Sequence, residues 1–194
     1  MPMLLSSRQQ EIIRLLQEFG PLSLIQLERL LALTFPPESI KLEPMLRQLA
    51  MGGMARWVGQ YVFPQDTVHT DPVMHEALDT MLALAPQGLQ QVQGLQQVQR
   101  GTPPFILTFF RDREGKLYRY DICPVSAARL PVIGAQLEGI PQKYRVIVFL
   151  LQDLGLKDVL AASYLDIPCE HCFSIRTRDG IRFYKKEVKQ DESD

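Results

Sequence analysis

The run Tyr144-Arg145-Val146-Ile147-Val148-Phe149-Leu150-Leu151 constrains this chain more than any other segment. It is almost wholly apolar, rich in β-branched residues and shows no alternation, so it predicts a central strand buried on both faces. Its surroundings supply partners. Phe105 to Phe110 predicts a strand, Arg111 to Lys116 a charged turn around Gly115, and Leu117 to Ile122 a returning strand with strict alternation. Phe173 to Thr177 and Ile181 to Tyr184 flank Arg178-Asp179-Gly180, where the Asp-Gly pair signals a hairpin. Leu156 to Tyr164 predicts a short helix, and the stretch after Pro124 a helical connection. These elements make an α/β domain with a mixed sheet over residues 101–188.

The pattern before it is different. Ser6 or Ser7 offers an N-cap, after which Ile12, Ile13, Leu15, Leu16 and Phe19 recur at helical spacing until Gly20-Pro21. Ser23 caps a second helix carrying Leu24, Leu27, Leu30 and Leu31 on one side. After Pro36-Pro37, residues Ile40, Leu42, Met45, Leu46 and Leu49 describe a third helix. Pro44 is awkward inside it, because proline lacks a donor and clashes with the preceding turn; a short turn over 38–41 and a helix starting near Pro44 are expected. Gly52-Gly53 ends it. Met54 to Val58 and Tyr61 to Phe63 then flank Gly59-Gln60 as a hairpin.

Three helices and a hairpin, with Leu46, Leu49 and Gly53 spaced as LxxLxxxG before the hairpin, resemble the helix-turn-helix modules of bacterial winged-helix proteins. The resemblance covers Arg8 to Phe63, about a third of the chain, and makes residues 1–66 a winged-helix domain in an overall α+β protein. It implies that the third helix enters the major groove of double-stranded DNA and the hairpin touches the backbone. Lys41, Arg47 and Gln48 would face bases or phosphates, with Arg56, Gln60 and Tyr61 on the wing.

Residues 67–100 read as a connection. Asp71-Pro72 opens a helix bearing Val73, Ala77, Leu78, Met81 and Leu82, on which His75 and Glu76 are expected to be solvated. A tandem duplication follows, Gly88-Leu89-Gln90-Gln91-Val92-Gln93 and Gly94-Leu95-Gln96-Gln97-Val98-Gln99, too short for a solenoid and placed in a loop or edge strand. Residues 189–194 are expected to be a disordered tail.

The element order of the C-terminal part resembles the core of restriction-endonuclease-like folds. A winged helix joined to such a core resembles replication-relaxation-type proteins of plasmids and conjugative elements, which implies a replication or transfer context. The nuclease pattern needs an acidic residue on one strand and an acid-x-Lys on the next, to hold a metal ion and orient water. Here Glu114-Gly115-Lys116 falls in a turn, and Asp121 has no lysine two positions on, so the fold is expected without its active site.

Charge tempers the DNA reading. The chain carries a formal net charge of -1, and residues 1–66 hold six basic residues (Arg8, Arg14, Arg29, Lys41, Arg47, Arg56) against six acidic ones (Glu11, Glu18, Glu28, Glu38, Glu43, Asp66). Glu38 and Glu43 lie on the would-be recognition segment, where phosphate contact normally dominates affinity. A winged helix used only for protein contact is the competing reading, and a divergent nuclease a third. A homodimer would double the phosphate contacts.

Other chemistry has little footing. Cys169-Glu170-His171-Cys172 has the C-x-x-C spacing, and Cys123 could approach it, but one isolated pair preceding a strand reads as packing rather than a zinc or redox site. Phosphate-binding glycine loops, H-E-x-x-H and G-x-S-x-G are absent from the sequence, which points away from an enzyme and implies no cofactor. With three cysteines, no secretory signal pattern at Met1 to Ser7 and no membrane-length apolar run, the chain is expected in the cytoplasm.

Overall fold

A computed structural model describes residues 4–85, 97–141, 143–163 and 169–185. The protein is of mixed α and β structure and divides into two compact units, Met1–Leu89 and Gln90–Asp194.

In the first unit, α1 (Ser7–Phe19) and α2 (Leu24–Ala32) begin with the same device. Ser6 and Ser23 accept hydrogen bonds from the amides of Gln9 and Gln26, and those glutamine side chains accept from the serine amides in return. Two orphan donors are thereby satisfied at each helix start. The first connection contains a strand that periodicity could not reveal, β1 (Leu22–Ser23), two residues long. It pairs antiparallel with β3 (Tyr61–Pro64), which pairs in turn with β2 (Ala55–Val58), giving the sheet order β1-β3-β2. Gly59, at φ +59°, makes the β2–β3 turn, where its missing Cβ removes the steric cost.

Between α2 and β2 lie a single 3-10 turn (Pro37–Ser39) and α3 (Leu42–Met51). The helix starts two residues earlier than its proline suggested. Pro44 sits in the first turn, where backbone N–H groups have no intrahelical partner, so the missing donor costs nothing. Leu46 and Leu49 are the buried side chains of α3, and Ile12, Leu16, Leu27, Leu31 and Val62 elsewhere in the unit are likewise nearly inaccessible to water. Asp71 caps α4 (Pro72–Leu84) by accepting from the amides of Val73 and Met74. The helix is tied to α2: Gln26 donates to the His75 carbonyl at 3.0 Å and to Asp79 at 2.9 Å, and Arg29 donates to the Leu82 carbonyl at 2.8 Å.

The second unit is built on six strands in the order β4 (Val98–Arg100), β5 (Leu107–Arg113), β6 (Lys116–Val125), β7 (Arg145–Leu151), β8 (Glu170–Thr177), β9 (Gly180–Lys185). The β6–β7 and β7–β8 pairs are parallel and the others antiparallel. The parallel crossovers contain α5 (Leu130–Leu137) and α6 (Gly155–Ser163). As the unbroken apolar run required, β7 is central and buried along its whole length. One face of the sheet, with Cys123, Val125, Ile147, Phe149, Leu151 and Phe173, packs with Leu130, Ile133, Leu137 and Leu160 of the two helices. The side chains alternating with them, among them Ile122, Val146 and Val148, are buried as well.

The β5–β6 turn is tighter than the six-residue charged turn expected from sequence. Pairing continues to Arg113 and Lys116, leaving only Glu114 and Gly115 as the bend, at φ +56° and +75°. Two successive positive φ values match the right-handed twist of the flanking strands. Of the glutamine-rich duplication, Val98 and Gln99 lie in the edge strand β4, and the portion over residues 88–96 is outside the described residues, as is the 189–194 tail. Among the described residues no helix is long and apolar enough to cross a membrane.

Candidate nucleic-acid interface

The inward anchoring of Leu46 and Leu49 decides which residues α3 turns outward. At about 100° per residue, Pro44, Arg47 and Met51 run along the middle of the exposed face, with Lys41 and Gln48 on one flank and Glu43 on the other. Lys41 is exposed at the N-cap position and makes no cap bond of its own. Arg47 pairs with Glu43 at 2.5 Å, with 70% and 59% of the side chains exposed. A pair this solvated contributes little and exchanges readily for another anion. Gln48 is less free, because its carbonyl oxygen accepts from the Gln9 side chain at 2.8 Å and so links α1 to α3.

Arg8 also belongs at this end of the unit, a residue passed over in the sequence reading. It donates to the Ser39 hydroxyl at 3.1 Å and its guanidinium lies 5.3 Å from the Phe35 ring centre. The only sequence signal was its place next to Gln9, whose capping role turns Gln9 inward.

The hairpin residues are braced within the fold. Arg56 donates to the Thr67 carbonyl and lies 5.6 Å from the Phe63 ring centre. The Gln60 carbonyl accepts from the Leu24 amide at 2.9 Å. Tyr61 is 39% exposed and sits edge-on to His75 at 5.5 Å, so His75 is half-buried rather than solvated. Because Ser23 of β1 pairs with Tyr61, the first residue past the turn, the hairpin ends level with β1 and has no projecting tip.

In the second unit Asp121, the acidic residue of β6, is closed off. Asp121 is inaccessible to water and accepts from the Thr108 hydroxyl at 2.5 Å, from Arg119 at 2.9 and 3.0 Å, and from Arg145 at 2.7 Å. Arg145 is itself 8% exposed and stacks over Phe105 at 5.0 Å. A carboxylate that accepts from three donors and faces two guanidinium charges is disfavoured as a seat for a metal ion. Glu114 is at the exposed tip of the β5–β6 turn, away from this network.

The C-x-x-C residues point apart. Cys169 joins the helix-covered core that contains Cys123, whereas Cys172 pairs in register with Val148 on the other face of the sheet. An odd separation along an extended chain has this consequence. Burial raises all three thiols, with Cys123 pushed up to about 12 and Cys172 to about 11. His171, between them, has its Nδ1 3.1 Å from the Cys169 carbonyl and packs edge-on to Phe149 and Phe173. Among the described residues no three metal-ligating side chains come together.

Compared with protein-family models, curated proteins and solved structures, the chain matches none.

Proposed function

We propose that the first unit is a winged helix that docks on duplex DNA through α3, and that the protein is a DNA-binding accessory or regulatory factor rather than an enzyme. The observation that carries this reading is the element order α1-β1-α2-α3-β2-β3 combined with the sheet order β1-β3-β2. That arrangement leaves the outer face of α3 unpacked, with Lys41 and Arg47 exposed on it, as groove insertion needs. The level hairpin assigns it a bracing role and leaves contact to α3. Dimerisation offsets the modest charge of each copy. Resemblance to mobile-element proteins supplies the replication or transfer context, and the closed Asp121 network favours a restriction-endonuclease-like core without its active site.

The test is fluorescence anisotropy of a labelled random-sequence duplex at low and moderate salt, with the Lys41→Ala/Arg47→Ala variant in parallel. Two lost phosphate contacts lower the slope of log affinity against log salt by about 1.8. Absence of binding at low salt, or an unchanged slope in the variant, overturns the proposal. A protein-interaction adaptor is then the surviving reading, and one observation favours it: Met51, in the middle of the outward face of α3, is 89% exposed.

A further inference from the structure

The β5–β6 hairpin end and the residues leading into β7 bring three tyrosines and four cations together. Arg113 lies 4.6 Å from the Tyr118 ring centre, and Arg111 lies 5.6 Å from that of Tyr120. Lys116 and Lys143 approach the Tyr144 ring at 5.9 and 5.1 Å from different segments, and Tyr118 meets Tyr144 edge-on at 5.5 Å. These four approaches lie within one hairpin end and the segment that leads into β7, so they form a local cluster.

Tyr144 adds a second, independent observation. Its φ is +58°, a left-handed conformation that bulky side chains adopt rarely and at a cost. Its carbonyl accepts from the Arg119 amide at 2.8 Å, which holds the backbone there, while the ring remains 39% exposed. The fold thus maintains an uncommon backbone conformation that leaves an aromatic side chain part-exposed beside two lysines. Burial in a core is not what this ring gains.

We propose that this surface is a binding site for single-stranded nucleic acid, with a base stacking on Tyr144 and the flanking phosphates held by Lys116, Lys143 and Arg111. Tyr120 is buried and Tyr118 part-buried, so the stacking surface is Tyr144 alone; an exposed ring flanked by cations suits a polymer in which flat apolar bases alternate with single negative charges. An acidic peptide would satisfy the cations and leave the ring unused. Duplex DNA keeps its bases stacked inside, so the site is distinct from the α3 surface and does not rest on that reading. Acidic neighbours moderate the patch: Glu170 pairs with Arg113 at 2.6 Å, Glu114 is exposed at the tip of the turn, and Asp112 accepts from the Gly115 amide at 3.0 Å.

The experiment is anisotropy of labelled dodecathymidine and of an abasic backbone of the same length, titrated with the full chain at low salt. Tyr144→Phe keeps the stacking face, whereas Tyr144→Asn removes it with a residue that tolerates the left-handed backbone. The expected result is binding of dodecathymidine, retained in Tyr144→Phe and weakened about tenfold or more in Tyr144→Asn, consistent with the loss of one stacked base. The abasic strand binds distinctly more weakly and is insensitive to Tyr144→Asn. Lys116→Ala/Lys143→Ala lowers the salt slope by about 1.4. Absence of dodecathymidine binding, equal affinity for the abasic strand, or full affinity in Tyr144→Asn overturns the inference. Lys41→Ala/Arg47→Ala, which tests the duplex reading, leaves dodecathymidine binding unchanged, so the two proposals fail separately.

Discussion

Replacing Asp121 by alanine removes the anion at the centre of the sheet and strands the charge beside it. Arg145 has 9% of its side chain exposed, against 40% for Arg119, so Arg119 can turn toward water while Arg145 cannot. Thr108, also inaccessible, loses its acceptor. Breaking one side of a buried pair of this kind costs about 3–5 kcal/mol. For a unit of about a hundred residues, each kcal/mol lowers the melting temperature by roughly 4–8 °C, which puts the expected drop at some 12–40 °C.

Urea unfolding followed by two signals reads this out. Trp57, the one tryptophan, reports on the first unit, while far-UV circular dichroism also follows the second. The dichroism transition of Asp121→Ala is expected at much lower urea. The paired change Asp121→Leu/Arg145→Met is expected to recover most of the loss, because apolar residues of similar volume replace buried ion pairs at little net cost. A change below about 1 kcal/mol in Asp121→Ala would refute the reasoning, since it is what an open, solvated pair produces. Failure of the paired variant to recover stability would refute the assignment of the cost to the stranded arginine.

Two further outcomes follow from local geometry. The thiols of Cys123 and Cys172 stay protonated up to about pH 12 and 11, whereas in the unfolded chain they ionise near their ordinary 9.0. Between these values the folded state holds more protons, so stability present below pH 9 is lost as pH rises; a midpoint of urea unfolding that does not fall between pH 9 and 11 would contradict it. Glu114→Asn puts Asn-Gly at a bend where both residues have positive φ, and the several-fold preference of Asn for that region predicts a gain of about 1 kcal/mol in denaturant titration.

Periodicity along the chain carried a large share of the architecture. The helical spacing of Ile12 to Phe19, the serine N-caps and the unalternating Val146 to Leu151 run act through neighbours in sequence, so they were legible before any fold was known. The β5–β6 bend was misjudged for the same reason: Arg111 to Arg113 are charged like a turn, and only their register against Lys116 to Tyr118 makes them strand. β1 was invisible because two residues show no period, and its pairing with β3 is settled across about forty residues of chain.

The candidate sites depended still more on distance in sequence. Lys41 and Arg47 were identified from residue type on a predicted helix face, and Leu46 and Leu49 turn that face outward. No pattern joins Asp121 to Arg145, or Tyr144 to Lys116 and Tyr118, because β6 and β7 are separated by a crossover of unrelated composition, while Thr108 meets Asp121 through a hairpin register that the bend at Glu114-Gly115 sets. Sequence by itself determined the longer helices and strands and most of the residues that avoid water, since those follow from local sterics and hydrophobic spacing. Tertiary structure decided which charges are cancelled and which remain on the surface. Burial and partnering are properties of residues far apart in the chain, and in this protein they close the one carboxylate set in the middle of the sheet and leave an aromatic ring exposed among lysines.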